Sequence, residues 1–220
     1  MWCSKEECLV SKMVLGVLAS GRGSNLQAIL DAIDAGRLSA KIGVVISDNP
    51  DANVIKRSIE WDVPVVCIER KQYESKEAWE TAIADELNVH QAELVVLAGF
   101  MRILSPYFVN RLSGRVMNIH PSLLPAFPGR NAQEQAVNHG VKVSGCTVHF
   151  IDEGMDSGPI ILQEAVPLEE GDTPETLAER ILHVEHVLYP RAIGLYCEGR
   201  LKVEGRRVTI LEKGEGTHEN

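Results

Sequence analysis

The sequence predicts one α/β domain, with a mainly parallel central sheet, helices on both faces and an antiparallel C-terminal part. Two patterns carry the prediction. Short runs rich in Val, Ile and Leu alternate with helical stretches over the first 120 residues, as expected of parallel strands joined by crossover helices. Farther on, two apolar runs are joined by a polar, Gly-rich connection and read as an antiparallel pair. At 220 residues, the chain is long enough to bury one substantial core.

The elements follow in order. Residues 14–19, 42–47, 63–68, 94–98 and 116–119 read as strands. Residues 27–36 form a helix with Ile29, Leu30 and Ile33 on one face, and residues 77–87 form another with Trp79, Ile83 and Leu87 together. The antiparallel pair occupies 146–151 and 159–166. A long helix over 174–189 begins after Asp172-Thr173, a capping pair with Pro174 in the first turn. Residues 201–211 read as a small hairpin. The domain is expected over 13–211, between a flexible leader at 1–12 and a flexible acidic tail at 212–220.

Composition narrows the function. A formal charge of −9 disfavours a nucleic-acid platform, which needs clustered Lys and Arg. No apolar stretch reaches the roughly 18 residues of a membrane span, and the polar start does not read as a secretory signal, so a cytoplasmic location is expected. The five cysteines, Cys3, Cys8, Cys67, Cys146 and Cys197, form no Cys-x-x-Cys pair, which argues against a zinc ribbon or a disulfide scaffold. Cys67 and Cys146 lie among apolar strand residues and are expected to pack as small hydrophobes. His183 and His186 share a helix face but lack the His-Glu-x-x-His spacing and any evident third ligand, so no metal site is expected.

The segment Asn118-Ile119-His120-Pro121-Ser122-Leu123-Leu124-Pro125 carries the most chemistry. On a strand, residues i and i+2 leave the same face, so Asn118 and His120 point together at the strand's end. An amide N–H and an imidazole aimed at one point can stabilise an oxyanion and move a proton. Taken alone, His120 is also compatible with a packed histidine. The loop Ser20-Gly21-Arg22-Gly23-Ser24-Asn25-Leu26 sits between a strand and a helix and can point backbone N–H groups at an anion. Leu26 stands where a dinucleotide fingerprint needs its third glycine, and no Gly-Lys-Ser/Thr follows for a P-loop. From spacing alone, its glycines fit a tight turn equally well.

The string Asn-x-His followed by Ser-Leu-Leu-Pro resembles the formyltransferases that use 10-formyltetrahydrofolate. Phe127-Pro128-Gly129 is similar to the glycinamide ribonucleotide formyltransferases among them, whereas methionyl-tRNA formyltransferases usually carry Arg-Gly and then Ala-Pro there. The likeness runs from about Val14 to about Leu201. It implies a single Rossmann-like formyltransferase domain that moves a formyl group from 10-formyltetrahydrofolate, a consumed cosubstrate, to the amine of glycinamide ribonucleotide in purine (IMP) synthesis. No metal, nucleic acid or membrane is implied, and the protein would be a monomer or homodimer.

Residue by residue, the resemblance makes Asn118, His120 and Asp156 catalytic, with Asp156, from an Asp-x-Gly-Pro motif, as the partner of His120. It assigns the substrate phosphate to Gly23, Ser24 and Asn25, and a ribonucleotide contact to Glu185. Met101, Arg102, Ile103 and Leu104 match a segment that meets the pteridine through backbone groups, Asn118 also faces the folate, and Lys76 stands near its glutamate tail. His149 is expected either to line the site or to pack in the core with a backbone partner. Arg130-Asn131 departs from the relatives, which often place His at the second position. A formyltetrahydrofolate hydrolase usually adds an N-terminal domain, a methionyl-tRNA formyltransferase adds a C-terminal one, and a non-enzymatic nucleotide-binding module leaves Asn118, His120 and Asp156 unexplained.

Overall fold

A computed structural model describes residues 12–112 and 114–214, so most of the expected leader and tail lies outside the described residues. Among the described residues, nine strands form one sheet: β1 (Met13–Ala19), β2 (Ala40–Ser47), β3 (Val65–Cys67), β4 (Leu94–Leu97), β5 (Val116–His120), β6 (Val143–Phe150), β7 (Ile160–Pro167), β8 (Leu201–Glu204) and β9 (Arg207–Ile210). Their order is β3-β2-β1-β4-β5-β6-β7-β9-β8. The first five are parallel, β6 and β7 return antiparallel, and β8 and β9 make the expected hairpin. The strand order reverses between β1 and β4, and such switch points open a crevice beyond the carboxyl ends of the strands.

Six α-helices among the described residues cover the sheet: α1 (Ser24–Asp34), α2 (Asn53–Glu60), α3 (Lys76–Val89), α4 (Pro106–Arg111), α5 (Ala132–His139) and α6 (Pro174–Cys197). Alternation along the buried strands feeds two cores. Leu15, Val17, Val45, Leu94, Val96, Met117 and Ile119 pack with α1 and α6 on one face. Leu18, Val44, Ile46, Val95, Leu97 and Val116 pack with Trp79, Ile83 and Phe108 of α3 and α4 on the other.

Several boundaries differ from expectation. The first helix starts three residues early, at Ser24: buried Leu26 carries the apolar face of Ile29, Leu30 and Ile33 back into the segment read from sequence as a glycine loop. The short helices α2, α4 and α5 have too few periodic positions to stand out. The third strand is only Val65–Cys67. The last long helix runs past Tyr189 and through Pro190 to Cys197. Proline removes one helical hydrogen bond, but Leu188, Tyr189, Pro190, Ala192, Ile193 and Leu195 are all buried, so tertiary packing spans the interruption. The Tyr189 hydroxyl lies 2.9 Å from the Leu97 carbonyl oxygen and 3.0 Å from that of Met117, bracing β4 and β5 from beneath.

Candidate active site

Val116, Asn118 and His120 alternate onto the α3/α4 face of β5, with Asn118 half-buried and His120 buried at the strand's end. The antiparallel return of β6 sets His149 opposite Asn118 and Thr147 opposite His120. Asp156 reaches the same point from the loop between β6 and β7. Its carboxylate lies 3.4 Å from His120 Nδ1 and 3.9 Å from His149 Nε2, and it accepts the Gly129 N–H at 2.7 Å. His120 Nε2 donates to the Phe127 carbonyl at 2.9 Å, so both ring nitrogens face oxygen acceptors. That arrangement satisfies a doubly protonated ring. Asn118, His120 and Asp156, expected together from the sequence, lie together.

His149 joins them. It is fully buried, its Nδ1 donates to the Phe150 carbonyl at 2.9 Å, and Asn118 Nδ2 lies 3.3 Å from its Nε2. Burial pushes this ring below the ordinary histidine range, partly offset by the Phe150 carbonyl and by Asp156. Sequence reading left its role open, because which strand lies opposite Asn118 is a matter of pairing register.

The glycine loop forms the second part. Gly23, at φ 72°, is the residue before α1, and a Cβ there would come within 3.0 Å of Val54, so both conformation and space call for glycine. The first helical hydrogen bond runs from Gln27 N–H to the Gly23 carbonyl, which leaves the amides of Ser24, Asn25 and Leu26 at an open helix start. Asn25 is buried and donates through Nδ2 to Glu185 on α6 at 3.0 Å. Burial raises the Glu185 carboxyl above its usual range, with the Asn25 bond acting against it. Two residues singled out separately thus form one contact. Arg57 of α2 reaches the same loop, donating to the Arg22 carbonyl at 3.0 Å and to Gln27 Oε1 at 2.8 Å. It stands in a surface helix whose sequence carries no motif, so reading the chain missed it.

The third part is the segment after β4. The Met101 N–H donates to Ser20 Oγ at 2.8 Å, tying this loop to the glycine loop across the switch point. Arg102 pairs with buried Asp48 at 2.5 Å, and Met101 and Ile103 stand exposed. Phe100 stacks on Trp79 at 6.1 Å. Glu80, fully buried on α3, accepts the Ser105 N–H at 2.7 Å and also its hydroxyl, and it draws Lys76 to 3.8 Å. The sequence did not single out Glu80; its carboxylate fixes where residues 101–104 end. A cleft of about 460 Å³ opens beside these loops, lined by Ser20, Asp48, Arg70, Met101, Arg102 and Arg130 among others. Asn118 and His120 lie outside that lining, at the end of the neighbouring strand.

Among the described residues no group of three or more His, Cys, Asp or Glu side chains could hold a metal ion. No helix among them is long and apolar enough to cross a membrane.

The sequence profile described as Formyl transferase matches residues 13–193, most of the chain. The chain belongs to the formyl transferase family. This formyl transferase is 46% identical over 177 residues to the phosphoribosylglycinamide formyltransferase of Bacillus subtilis, covering 80% of this chain and 91% of that protein. It is 43% identical over 199 residues to the trifunctional purine biosynthetic protein adenosine-3 of Chironomus tentans, covering 90% of this chain but spanning only 14% of that longer protein. Among solved structures it resembles glycinamide ribonucleotide transformylase 1 from Symbiobacterium toebii, with TM-score 0.89, 52% identity, and coverage of 91% of this chain and 94% of that one. The formyl transferase fold, a single α/β domain with a mostly parallel sheet and an antiparallel C-terminal part, agrees with the expectation from sequence.

Proposed function

We propose that the chain transfers the formyl group of 10-formyltetrahydrofolate to the amine of glycinamide ribonucleotide, giving formylglycinamide ribonucleotide and tetrahydrofolate, as a cytoplasmic enzyme of de novo purine synthesis. The likeness to proteins named for this reaction supports it. The observation that carries it is the convergence of Asn118, His120 and Asp156 at the end of β5, beside the switch point. In this reading the phosphate sits against the amides of Gly23, Ser24 and Asn25, Glu185 meets the ribonucleotide, Met101 to Leu104 meet the pteridine, and Lys76 stands near the folate tail.

The amine nitrogen attacks the formyl carbon. A C–N bond forms and the formyl oxygen becomes an oxyanion, held by an Asn118 N–H and by protonated His120. The attacking nitrogen gives up a proton, the bond from carbon to the folate nitrogen breaks, and that nitrogen takes a proton relayed through His120 or water. For His120 to reach the oxyanion, substrate must replace one of its two present partners, the Phe127 carbonyl or Asp156. Holding both reactants in one cleft supplies much of the rate. No covalent enzyme intermediate and no metal is called on.

The test offers three acceptors with 10-formyltetrahydrofolate: glycinamide ribonucleotide, water and initiator tRNA. Formylation of glycinamide ribonucleotide alone is expected. Formate release at the same rate with no amine present would replace this reading with a hydrolase.

A further inference from the structure

We propose that His149 is a positioning residue that sets the orientation of the Asn118 amide, its Nε2 lone pair holding the NH₂ end inward so that the second N–H is aimed at the reaction centre. The proposal rests on the formyl-transfer reading of this site and adds to it a residue that touches neither substrate.

A carbonyl oxygen only accepts, so the 2.9 Å contact from His149 Nδ1 to the Phe150 carbonyl places a proton on Nδ1. The ring is fully buried, with its charged form disfavoured by desolvation, so it carries one proton and Nε2 is bare. A bare nitrogen can only accept. The Asn118 atom 3.3 Å away must therefore be the donor Nδ2, and the carbonyl end of the amide faces elsewhere. Were the amide reversed, two lone pairs would meet in a buried place, an arrangement as costly as an unmade hydrogen bond. Asp156, 3.9 Å from the same nitrogen, is too far for a hydrogen bond and would favour the other tautomer only by giving up the Phe150 contact. An amide turned the wrong way would present oxygen to a developing oxyanion, so orientation decides whether Asn118 helps or hinders.

Two measurements on the full chain test this. First, ¹⁵N NMR of histidine-labelled protein reads the tautomer without any substrate. An unprotonated Nε2 on His149 across about pH 6 to 8 is expected, and a protonated Nε2 would overturn the assignment whatever the enzyme does. Second, steady-state kinetics compare His149→Leu, which keeps apolar volume without an acceptor, with His149→Gln, whose Oε1 can accept. His149→Leu should lower kcat roughly ten- to hundredfold, less than the loss of an oxyanion donor outright, with KM for both substrates nearly unchanged. His149→Gln should recover most of the loss. In an Asn118→Ala background, His149→Leu should cost nothing further, because there is no amide left to orient.

An equal loss in both backgrounds, or a folded Gln variant no better than Leu, would sink the proposal. Should the Leu variant fail to fold, the Gln variant and the tautomer decide. Absence of formyl transfer in the wild type would refute the functional reading instead, and the NMR result would then judge the amide orientation alone.

Discussion

At the scale of single residues, Asp156 is placed to act on two rings at once, facing His120 at 3.4 Å and His149 at 3.9 Å while it ties down Gly129. Asp156→Asn keeps the shape and removes the charge. Turnover should fall by about 10²-fold or more, the scale of lost acid–base assistance, while circular dichroism stays that of the wild type; near-normal turnover would return Asp156 to the role of a turn residue at φ 49°. Glu185 offers a separate test, since its carboxyl is buried and its pKa raised. A carboxyl raised in the native state favours folding below its unfolded pKa of about 4.3 and loses that advantage as pH rises through the native value. At neutral pH, where the unfolded side chain is ionised, burying this carboxyl is therefore a burden. Glu185→Gln, which can still accept from Asn25, should raise the melting temperature at pH 7, each 1 kcal/mol being worth about 2–4 °C for a chain of this size. The gain should shrink as pH falls toward 4. Thermal scans at several pH values check this, and a gain that grows in acid would contradict the burial argument.

Among the elements, α6 shows where pattern reading stops. The Thr173 cap and Pro174 mark its start, and Pro190 looks like its end, yet the helix continues because residues on both sides of the proline are buried. Tyr189 sits at that point with its hydroxyl under β4 and β5. Tyr189→Phe leaves buried carbonyl oxygens without this donor and should cost about 1–3 kcal/mol in urea unfolding; an unchanged midpoint would mean that the hydroxyl is replaceable. The strands that carry the site were legible from their apolar runs, and Asn118 and His120 from their spacing. What was not legible had a common physical cause. Glu80, Arg57 and His149 act through partners on other elements, and only three-dimensional pairing brings Ser105, the Arg22 carbonyl or Asn118 within reach of them.

Over the whole molecule, the two cores give the three described cysteines different fates. Cys146 is fully buried in β6, with its thiol pushed up to about 12 by burial, and Cys197 is raised to about 12 as well. Cys67, expected from sequence to pack as a small hydrophobe, instead stands exposed at the end of β3, the short strand at the sheet edge. At neutral pH an alkylating reagent should modify Cys67 in the native protein and reach Cys146 only when the sheet opens, so the rate at Cys146 reads global unfolding. Mass spectrometry of peptides from a time course checks the order, and early labelling of Cys146 would show that β6 opens locally.

The antiparallel return from β5 to β6 also decides where this chain can change length. Thr147 accepts the Leu124 N–H at 3.0 Å and donates to the Ser122 carbonyl at 2.7 Å, and a Cβ on Gly145 would lie 2.0 Å from the Glu164 carbonyl oxygen, so β6 is pinned against both neighbours. Side chains alternate along a strand, so one residue inserted between Gly145 and His149 would swing the histidine to the opposite face of the sheet and leave Asn118 without it. One residue inserted near His139, at the end of α5, would be absorbed before β6 begins. In a scan of single-residue insertions, survivors should therefore cluster outside a window of a few residues in β6, although none of the proposed substrate-contacting residues lies there.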